Sequence, residues 1–139
     1  MNKAKNEITI YTDGGSRGNP GDAAYGFVVY QDGRKIYSEG KYLGIQTNNY
    51  AEYMAVIRSF EWVKENLGED TFIDLYCDSL LVASQLTGKF KVKHPSILLL
   101  VKKAKGLESY FTEVKYTHVL REHNKEADKM VNIALDQRQ

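Results

Sequence analysis

The sequence predicts an α/β domain whose five-stranded mixed sheet is flanked by helices, in the order βββαβααβα. At the start, alternating β-branched residues and a Gln31-Asp32-Gly33-Arg34 hairpin signal favour antiparallel strands. Helical periodicity begins near residue 48, and strand-like and helix-like segments then alternate towards the end. This succession is typical of a mixed sheet covered by helices on its faces.

The first three strands are predicted at residues 7–13, 23–30 and 34–42. The first of these segments alternates in polarity and is rich in β-branched side chains, which favour strands. A turn from Ser16 to Asp22 separates the first two strands, and the hairpin joins the second to the third. The three strands are therefore expected to form an antiparallel meander.

The first helix is predicted over residues 48–66. Thr47 or Asn48 can cap its start, and Gly68 ends it. Its apolar side chains lie on one stripe at helical spacing, so that one face can pack on the sheet. The stripe consists of Tyr53, Val56, Ile57, Phe60, Val63 and Leu67.

The second half of the chain supplies the remaining elements. Residues 71–77 are predicted as a buried central strand, followed by a short helix over 79–86 and by a helix from Pro95 to about residue 110. Residues 112–119 form the fifth predicted strand. The last helix covers residues 124–137 and is capped near its first residue, an asparagine.

The composition indicates one globular domain spanning residues 1–139, with residues 1–6 as a flexible N-terminus. Apolar residues make up 42% of the chain and charged residues 27%, and no apolar run approaches the ~20 residues of a membrane span. Met1–Glu7 lacks the apolar centre of a signal peptide, and Cys77 is the single cysteine, which excludes an internal disulfide. The expected protein is cytoplasmic, monomeric and not bound to a membrane.

Positive charge is concentrated in one segment, although the net charge is only +1. No acidic residue lies between Asp78 and Glu108, whereas His94 and a group of lysines do. Such a segment can attract phosphate, and the alternative is an ordinary solvated surface. The lysines are Lys89, Lys91, Lys93, Lys102, Lys103 and Lys105.

Four carboxylates stand at positions that predict a common site. Asp13 and Asp78 each end an apolar run, and Glu52 and Asp128 lie near the starts of predicted helices. If the first and fourth strands are parallel neighbours, their carboxyl ends place Asp13 beside Asp78. Converging carboxylates repel one another, and a hard divalent cation removes that cost. Two Mg²⁺ ions in such a cavity suit phosphate chemistry, in which one activates a water and the other stabilises the leaving oxygen.

Each carboxylate also has a purely structural alternative. Asp13 before two glycines can be a turn residue, Glu52 can interact with the helix dipole, and Asp78 can cap a helix. Asp128 can be a solvated helix residue. The joint placement of the four favours the metal site. The sequence has no P-loop and no HExxH spacing, which disfavours a nucleotide triphosphatase or a zinc hydrolase of those kinds.

Four sequence blocks stand out: Thr-Asp-Gly-Gly-Ser-Arg-Gly-Asn-Pro-Gly at 12–21, Thr-Asn-Asn-Tyr-Ala-Glu at 47–52, Cys-Asp-Ser at 77–79 and Arg-Glu-His-Asn-Lys-Glu-Ala-Asp at 121–128. Together they resemble the type 1 ribonuclease H family, whose members cut the RNA strand of RNA–DNA hybrids. The resemblance covers about residues 7–136, and it implies the ribonuclease H-like fold. It also implies an endonuclease that uses Mg²⁺, or Mn²⁺ as a substitute, and leaves 5′-phosphate and 3′-hydroxyl ends.

The resemblance implies roles for individual residues. The four metal-binding carboxylates of the family are matched by Asp13, Glu52, Asp78 and Asp128. The substrate contacts are matched, or suggested by polarity, at Gly14, Ser16, Asn19, Thr47, Asn48, Asn49 and Ser79. Asn19 and Thr47 match a pocket for a phosphate of the DNA strand, and Asn48 and Asn49 match minor-groove contacts. The backbone of Gly14 lies where the RNA strand is held, so that 2′-hydroxyl contacts and groove shape would identify the hybrid.

The chain departs from the family pattern at three places. Thr87–Pro95 is short, so the Lys- and Trp-rich protrusion of many bacterial members is missing. In the loop before the last helix, Arg121 is the candidate for the position of the family's catalytic histidine. His123 is the alternative, and His118 is expected on the fifth strand. Leu80 stands where a glutamine is frequent, so one groove contact is lost.

Three functions stay open at this point. The favoured one is a metal-dependent endonuclease that acts on RNA–DNA hybrid. The second is a catalytically silent nucleic-acid-binding domain of the same fold, and the presence of all four acids argues against it. The third is a related nuclease that acts on duplex RNA or branched DNA, and the Asn48-Asn49 pair before Glu52 favours hybrid cleavage over it.

Overall fold

The computed structural model describes residues 5–139. The described strands are β1 (Asn6–Arg17), β2 (Gly21–Gln31), β3 (Arg34–Gln46), β4 (Thr71–Cys77) and β5 (Glu113–His118). The described α-helices are α1 (Asn48–Asn66), α2 (Leu80–Leu86), α3 (Pro95–Glu108) and α4 (Lys125–Gln137), and a 3-10 turn covers Arg121–His123. The predicted order of strands and α-helices is confirmed.

The strands form one mixed sheet in the order β3-β2-β1-β4-β5. β2 is antiparallel to both β1 and β3, as the predicted meander requires, and β4 is parallel to both β1 and β5. The last matched pair between β1 and β4 is Thr12 with Cys77, so Asp13 and Asp78 both lie one residue beyond it. The fold class predicted from the sequence is therefore confirmed.

Three details differ from the predictions. The meander strands are longer than predicted, because β1 and β2 stay paired as far as Arg17 and Asp22. Asp13 consequently lies within β1 and not at its end. β4 is buried and internal as predicted, but the middle strand is β1, which has two strands on either side. The turn at Arg121–His123 is too short to show a helical period, so the sequence did not predict it.

Helix α1 begins and ends where the sequence predicts. Thr47 is its N-cap, and the Thr47 Oγ1 atom accepts a hydrogen bond from the backbone N–H of Tyr50 at 3.2 Å. Gly68, which follows the last turn, has a φ of +86° that favours glycine. The buried apolar stripe of α1 belongs to the same core as the inward side chains of β1 and β4. This packing fixes Glu52, one position before the stripe, at the sheet.

Helix α4 packs over β2 and β3 in a second core cluster that contains Ala24, Val131 and Leu135. Gly26 and Gly40 permit the close approach, because a Cβ atom on either would collide with the backbone of α4. At Gly26 that Cβ would lie 2.7 Å from the carbonyl oxygen of Ala127. The first turn of α4, which carries Asp128, is thereby held near β1.

The flexible N-terminus predicted for residues 1–6 lies outside the described residues at positions 1–4. Asn6 already belongs to β1, and its side-chain amide donates to the carbonyl of Leu67 at 3.1 Å. Within residues 5–139, the structure has no helix of the length and apolarity that crossing a membrane requires.

Candidate active site

Three of the predicted carboxylates converge at the carboxyl end of the β1–β4 pair. Asp13 comes from β1, Glu52 from the second turn of α1, and Asp78 follows β4 directly. One carboxylate oxygen of each lies within 4.8 Å of the other two. Asp13 and Glu52 are buried, at 7% and 8% exposure, and Asp78 is half-buried. The parallel strands thus bring Asp13 and Asp78 together as the sequence predicts.

The backbone N–H of Gly14 ties Asp13 to Glu52. It donates to Asp13 Oδ1 at 2.9 Å and to Glu52 Oε1 at 2.7 Å. β1 and α1 touch at this point, because a Cβ atom on Gly14 would collide with the backbone of Ala51. Because Gly14 has no side chain, α1 can approach β1 closely enough for Glu52 to lie beside Asp13.

Asp128 faces the same place from the first turn of α4. All four carboxylates line one cleft of about 530 Å³. The side chain of Asp128 is 30% exposed, and its Oδ1 atom lies 3.8 Å from Nη2 of Arg121. Its other oxygen, Oδ2, accepts a hydrogen bond from the side-chain amide of Asn132 at 3.3 Å. Asp128 is thus half-buried, like Asp78, and its charge is partly offset by Arg121.

The electrostatics of the cleft favour a bound cation. Burial, and next the charge of Asp78, raise the pKa of Asp13 to about 7. Burial, and next the charge of Asp13, raise the pKa of Glu52 well above its ordinary value. Within residues 5–139, no lysine or arginine forms an ion pair with Asp13, Glu52 or Asp78. Buried oxygen donors without a protein cation fit a hard divalent metal ion.

The structure separates the two candidates for the loop position. Arg121 lines the acidic cleft, and its side chain is 82% exposed. His123 lines a different cavity of about 450 Å³, which is walled by Tyr11 and Tyr30 and contains none of the four carboxylates. His118 is the last residue of β5, as expected. Of the two candidates, Arg121 is the one that lies at the carboxylates.

Asn48 joins the end of β1 to the start of α1. Its Oδ1 atom accepts hydrogen bonds from the backbone N–H of Ser16 at 2.7 Å and from Ser16 Oγ at 3.0 Å. The Ser79 hydroxyl is used differently, because it caps α2 by accepting from the N–H of Val82 at 3.2 Å. The alternative that Asp78 caps this helix is therefore wrong, and its carboxylate is left for the cluster.

A second cavity, of about 370 Å³, adjoins the start of α1. It is lined by Asn19, Thr47, Asn49, His94, Ser96 and Ile97. Asn19 is held here because its Oδ1 atom accepts from the backbone N–H of Asn48 at 3.1 Å. The sequence did not predict that His94 and Ser96 belong to this cavity. The proline between them marks a helix start, but only the packing of α3 beside α1 brings that start to Thr47.

The lysines between Asp78 and Glu108 are not equally available to a ligand. Lys105 Nζ lies 2.9 Å from Glu108 Oε1 and donates to the carbonyl of Leu86 at 3.0 Å. Lys89, Lys91 and Lys93 are exposed on the connection between α2 and α3. Attraction of phosphate by the lysines of this segment stays a prediction.

The chain is similar to several known proteins over nearly its whole length. A family described as reverse transcriptase-like matches residues 11–134. The crystal structure of RNase H1 from the archaeon Halobacterium salinarum is 40% identical, with a TM-score of 0.89, and the match covers 94% of this chain and 98% of that one. LC11-RNase H1, solved in complex with RNA/DNA hybrid, is 36% identical with a TM-score of 0.88, over 94% of this chain and 97% of that one. A bifunctional protein of Mycobacterium tuberculosis is 42% identical over 132 residues, or 94% of this chain, which spans 36% of that relative's length.

Proposed function

Since the chain belongs to the type 1 ribonuclease H family, we propose that it is an endonuclease that hydrolyses the RNA strand of RNA–DNA hybrids. The convergence of Asp13, Glu52 and Asp78 carries the proposal, with Asp128 on the opposite wall of the same cleft. The similarity to LC11-RNase H1, whose structure contains an RNA/DNA hybrid, supports the choice of substrate.

The four carboxylates are the proposed ligands of Mg²⁺, with Mn²⁺ as a substitute. Held by these oxygens, divalent cations would lower the pKa of a bound water and would stabilise the leaving oxygen. Asp13 and Glu52 are buried and share the N–H of Gly14, so their oxygens are held in place before substrate arrives. Asp128 is more exposed than Asp13 and Glu52, and it would complete the ligand set from α4.

Residues at the start of α1 can contact both strands of one duplex. Asn48 lines the acidic cleft and the next residue, Asn49, lines the second cavity. The proposed RNA strand lies in the cleft, and a phosphate of the DNA strand lies in the second cavity near Asn19 and Thr47. The two amides would then reach across the minor groove, where 2′-hydroxyls and base edges are accessible.

Arg121 is the proposed phosphate-positioning cation of the cleft. Its guanidinium is a planar cation with several N–H donors that can bind phosphate oxygens. The 3.8 Å separation from Asp128 keeps the charge at the carboxylates without a tight ion pair. Arg121 would therefore contact the phosphate during cleavage or release of the product.

The proposed working form is a single-domain monomer in the cytosol. The helices pack on one sheet through two hydrophobic core clusters, as they do in a single domain. The free and buried thiol of Cys77 is compatible with a reducing compartment.

Cleavage of matched substrates tests the proposed activity. The wild-type protein is incubated with Mg²⁺ and end-labelled RNA–DNA hybrid, duplex RNA, a four-way DNA junction or single-stranded DNA of one common sequence. Internal cuts confined to the RNA strand of the hybrid are expected. Preferential cutting of the junction or of duplex RNA would assign the cleft to a related nuclease activity. Hybrid binding without any cutting would indicate a silent binding domain.

A further inference from the structure

One wall of the acidic cleft is a polar ridge on α4. Asp128 and Asn132 line the cleft, and Asp136 follows after one more turn on the same side of the helix. The amide of Asn132 donates to Asp128 at 3.3 Å, so the ridge begins as a connected row of side chains. At a rise of about 1.5 Å per residue, the ridge from Asp128 to Asp136 is about 12 Å long.

An arginine from outside the helix stands at each end of this ridge. Arg121 lies 3.8 Å from Asp128, and Nη2 of Arg17 lies 2.6 Å from Oδ1 of Asp136. Arg17 is the last residue of β1, and it lines the same cleft as the four carboxylates. Its side chain is 51% exposed, and its described side-chain contact uses one of five N–H donors. The remaining donors can reach a ligand in the cleft.

We propose that Arg17 is a positioning residue that holds a phosphate of the RNA strand a few nucleotides away from the scissile phosphate. The inference rests on the proposed hybrid cleavage. A cleft lined by four carboxylates repels a phosphodiester backbone, and cations at both ends of one wall offset that repulsion. With about 3.4 Å of duplex axis per phosphate on each strand, the 12 Å ridge spans on the order of three phosphates.

The backbone around Arg17 is fixed well enough to position a phosphate. The preceding residue, Ser16, is bound to Asn48 through both its N–H and its hydroxyl. Asp136 accepts one hydrogen bond from Nη2 of the guanidinium, and the cation itself does not depend on that contact. Because the Arg17–Asp136 pair is half-exposed on both sides, with exposures of 51% and 65%, its contribution to stability is small and an Arg17 variant is expected to fold.

The Arg138–Asp22 pair offers a matched control. It also joins the end of α4 to the start of β2, with an Nη2–Oδ2 distance of 3.2 Å, and neither residue lines the cleft. Asp136→Asn is the second control, because it breaks the ion pair and keeps the Arg17 cation. These two variants separate loss of an ion pair from loss of a cation at the cleft.

The test is cleavage of a set of hybrids in which one RNA phosphate at a time is replaced by an uncharged methylphosphonate. Arg17→Ala is expected to lower kcat/KM by about tenfold, the size of one charge-assisted hydrogen bond, mainly through KM. One methylphosphonate, a few nucleotides from the cut, is expected to slow the wild type about equally and to cost the variant nothing more. Asp136→Asn and Arg138→Ala should each lose less than about fivefold.

Two results would overturn the inference while leaving hybrid cleavage intact. The first is an equal loss in Arg17→Ala and Asp136→Asn, which would show a purely structural ion pair. The second is a methylphosphonate profile that is the same for the wild type and Arg17→Ala. A wild-type protein that cuts no hybrid would instead overturn the proposed function, and this inference with it.

Discussion

The buried charge of Asp13 should destabilise the metal-free protein at neutral pH and above, and Asp13→Asn should remove that cost. Burial and the neighbouring carboxylates raise the pKa of this carboxyl from 3.8 to about 7 on folding. A raised pKa means that the folded state binds the proton more tightly. Its contribution to the free energy of unfolding is therefore full below about pH 4 and is lost as the pH rises towards 7.

The size of this loss follows from the pKa difference. A difference of about 3 pH units, at 1.36 kcal/mol each, corresponds to about 4 kcal/mol at pH 8. Replacement of Asp13 also removes its repulsion of Glu52, which acts in the same direction. The free energy of unfolding of the metal-free Asp13→Asn variant is therefore expected to exceed that of the wild type by about 4 kcal/mol at pH 8 and by close to zero at pH 3.

Urea unfolding in EDTA measures this difference. Trp62, which stacks on Tyr37 with ring centroids 4.4 Å apart, provides the fluorescence signal. Asp74→Asn removes a carboxylate from β4 outside the cleft and controls for the change in net charge. If Asp13→Asn raised the free energy of unfolding by the same amount at pH 3 and at pH 8, the reasoning would be refuted. A further check is that Mg²⁺ at 100 times its Kd should stabilise the wild type by about 2.7 kcal/mol but not the variant.

Other perturbations address the cleft and the packing that positions it. Arg121→Ala is expected to lower kcat about tenfold to a hundredfold, which is a smaller loss than that of Asp13→Asn. His123→Ala should keep a kcat near that of the wild type, and equal losses in Arg121→Ala and His123→Ala would contradict the assignment. With Mg²⁺, the cleavage rate should rise from pH 5 to 8, because burial raises the pKa of Asp13 to about 7 and ligands must be ionised; a flat profile would count against this. Gly26→Ala should lower the free energy of unfolding in urea by about 1–3 kcal/mol, because a Cβ there meets the backbone of α4. Gly106→Ala, in α3 with open space around it, should instead raise it by about 0.5–1 kcal/mol, and similar losses in both glycine variants would contradict the packing argument.

Local signals were strong enough to predict α1 and β4. Thr47 and Gly68 mark the two ends of α1 by capping chemistry, and an apolar stripe lies between them. The ends of the meander strands could not be predicted in this way. Gly14 and Ser16 have little preference for strands, and their pairing with β2 keeps β1 extended. Tertiary pairing decided these boundaries.

The same distinction holds for the candidate site. The adjacency of Asp13 and Asp78 could be predicted, because parallel strands align their carboxyl ends. Arg17 and Asp136 are 119 residues apart, and no local pattern relates them. His94 reaches the second cavity only through the packing of α3 against α1. Contacts of this kind depend on how helices are placed on the sheet and carry no signal in the sequence.

Cleavage of a short RNA–DNA hybrid with labelled RNA tests the central claim most directly. Wild type and Asp13→Asn are compared at equal concentration, each with Mg²⁺ and with EDTA, after circular dichroism has shown that both are folded. The expected result is internal cutting of the RNA by the wild type with Mg²⁺ alone, and none by the variant. Cutting that persists in EDTA, or a variant that cuts at the wild-type rate, would contradict a metal site built on these carboxylates.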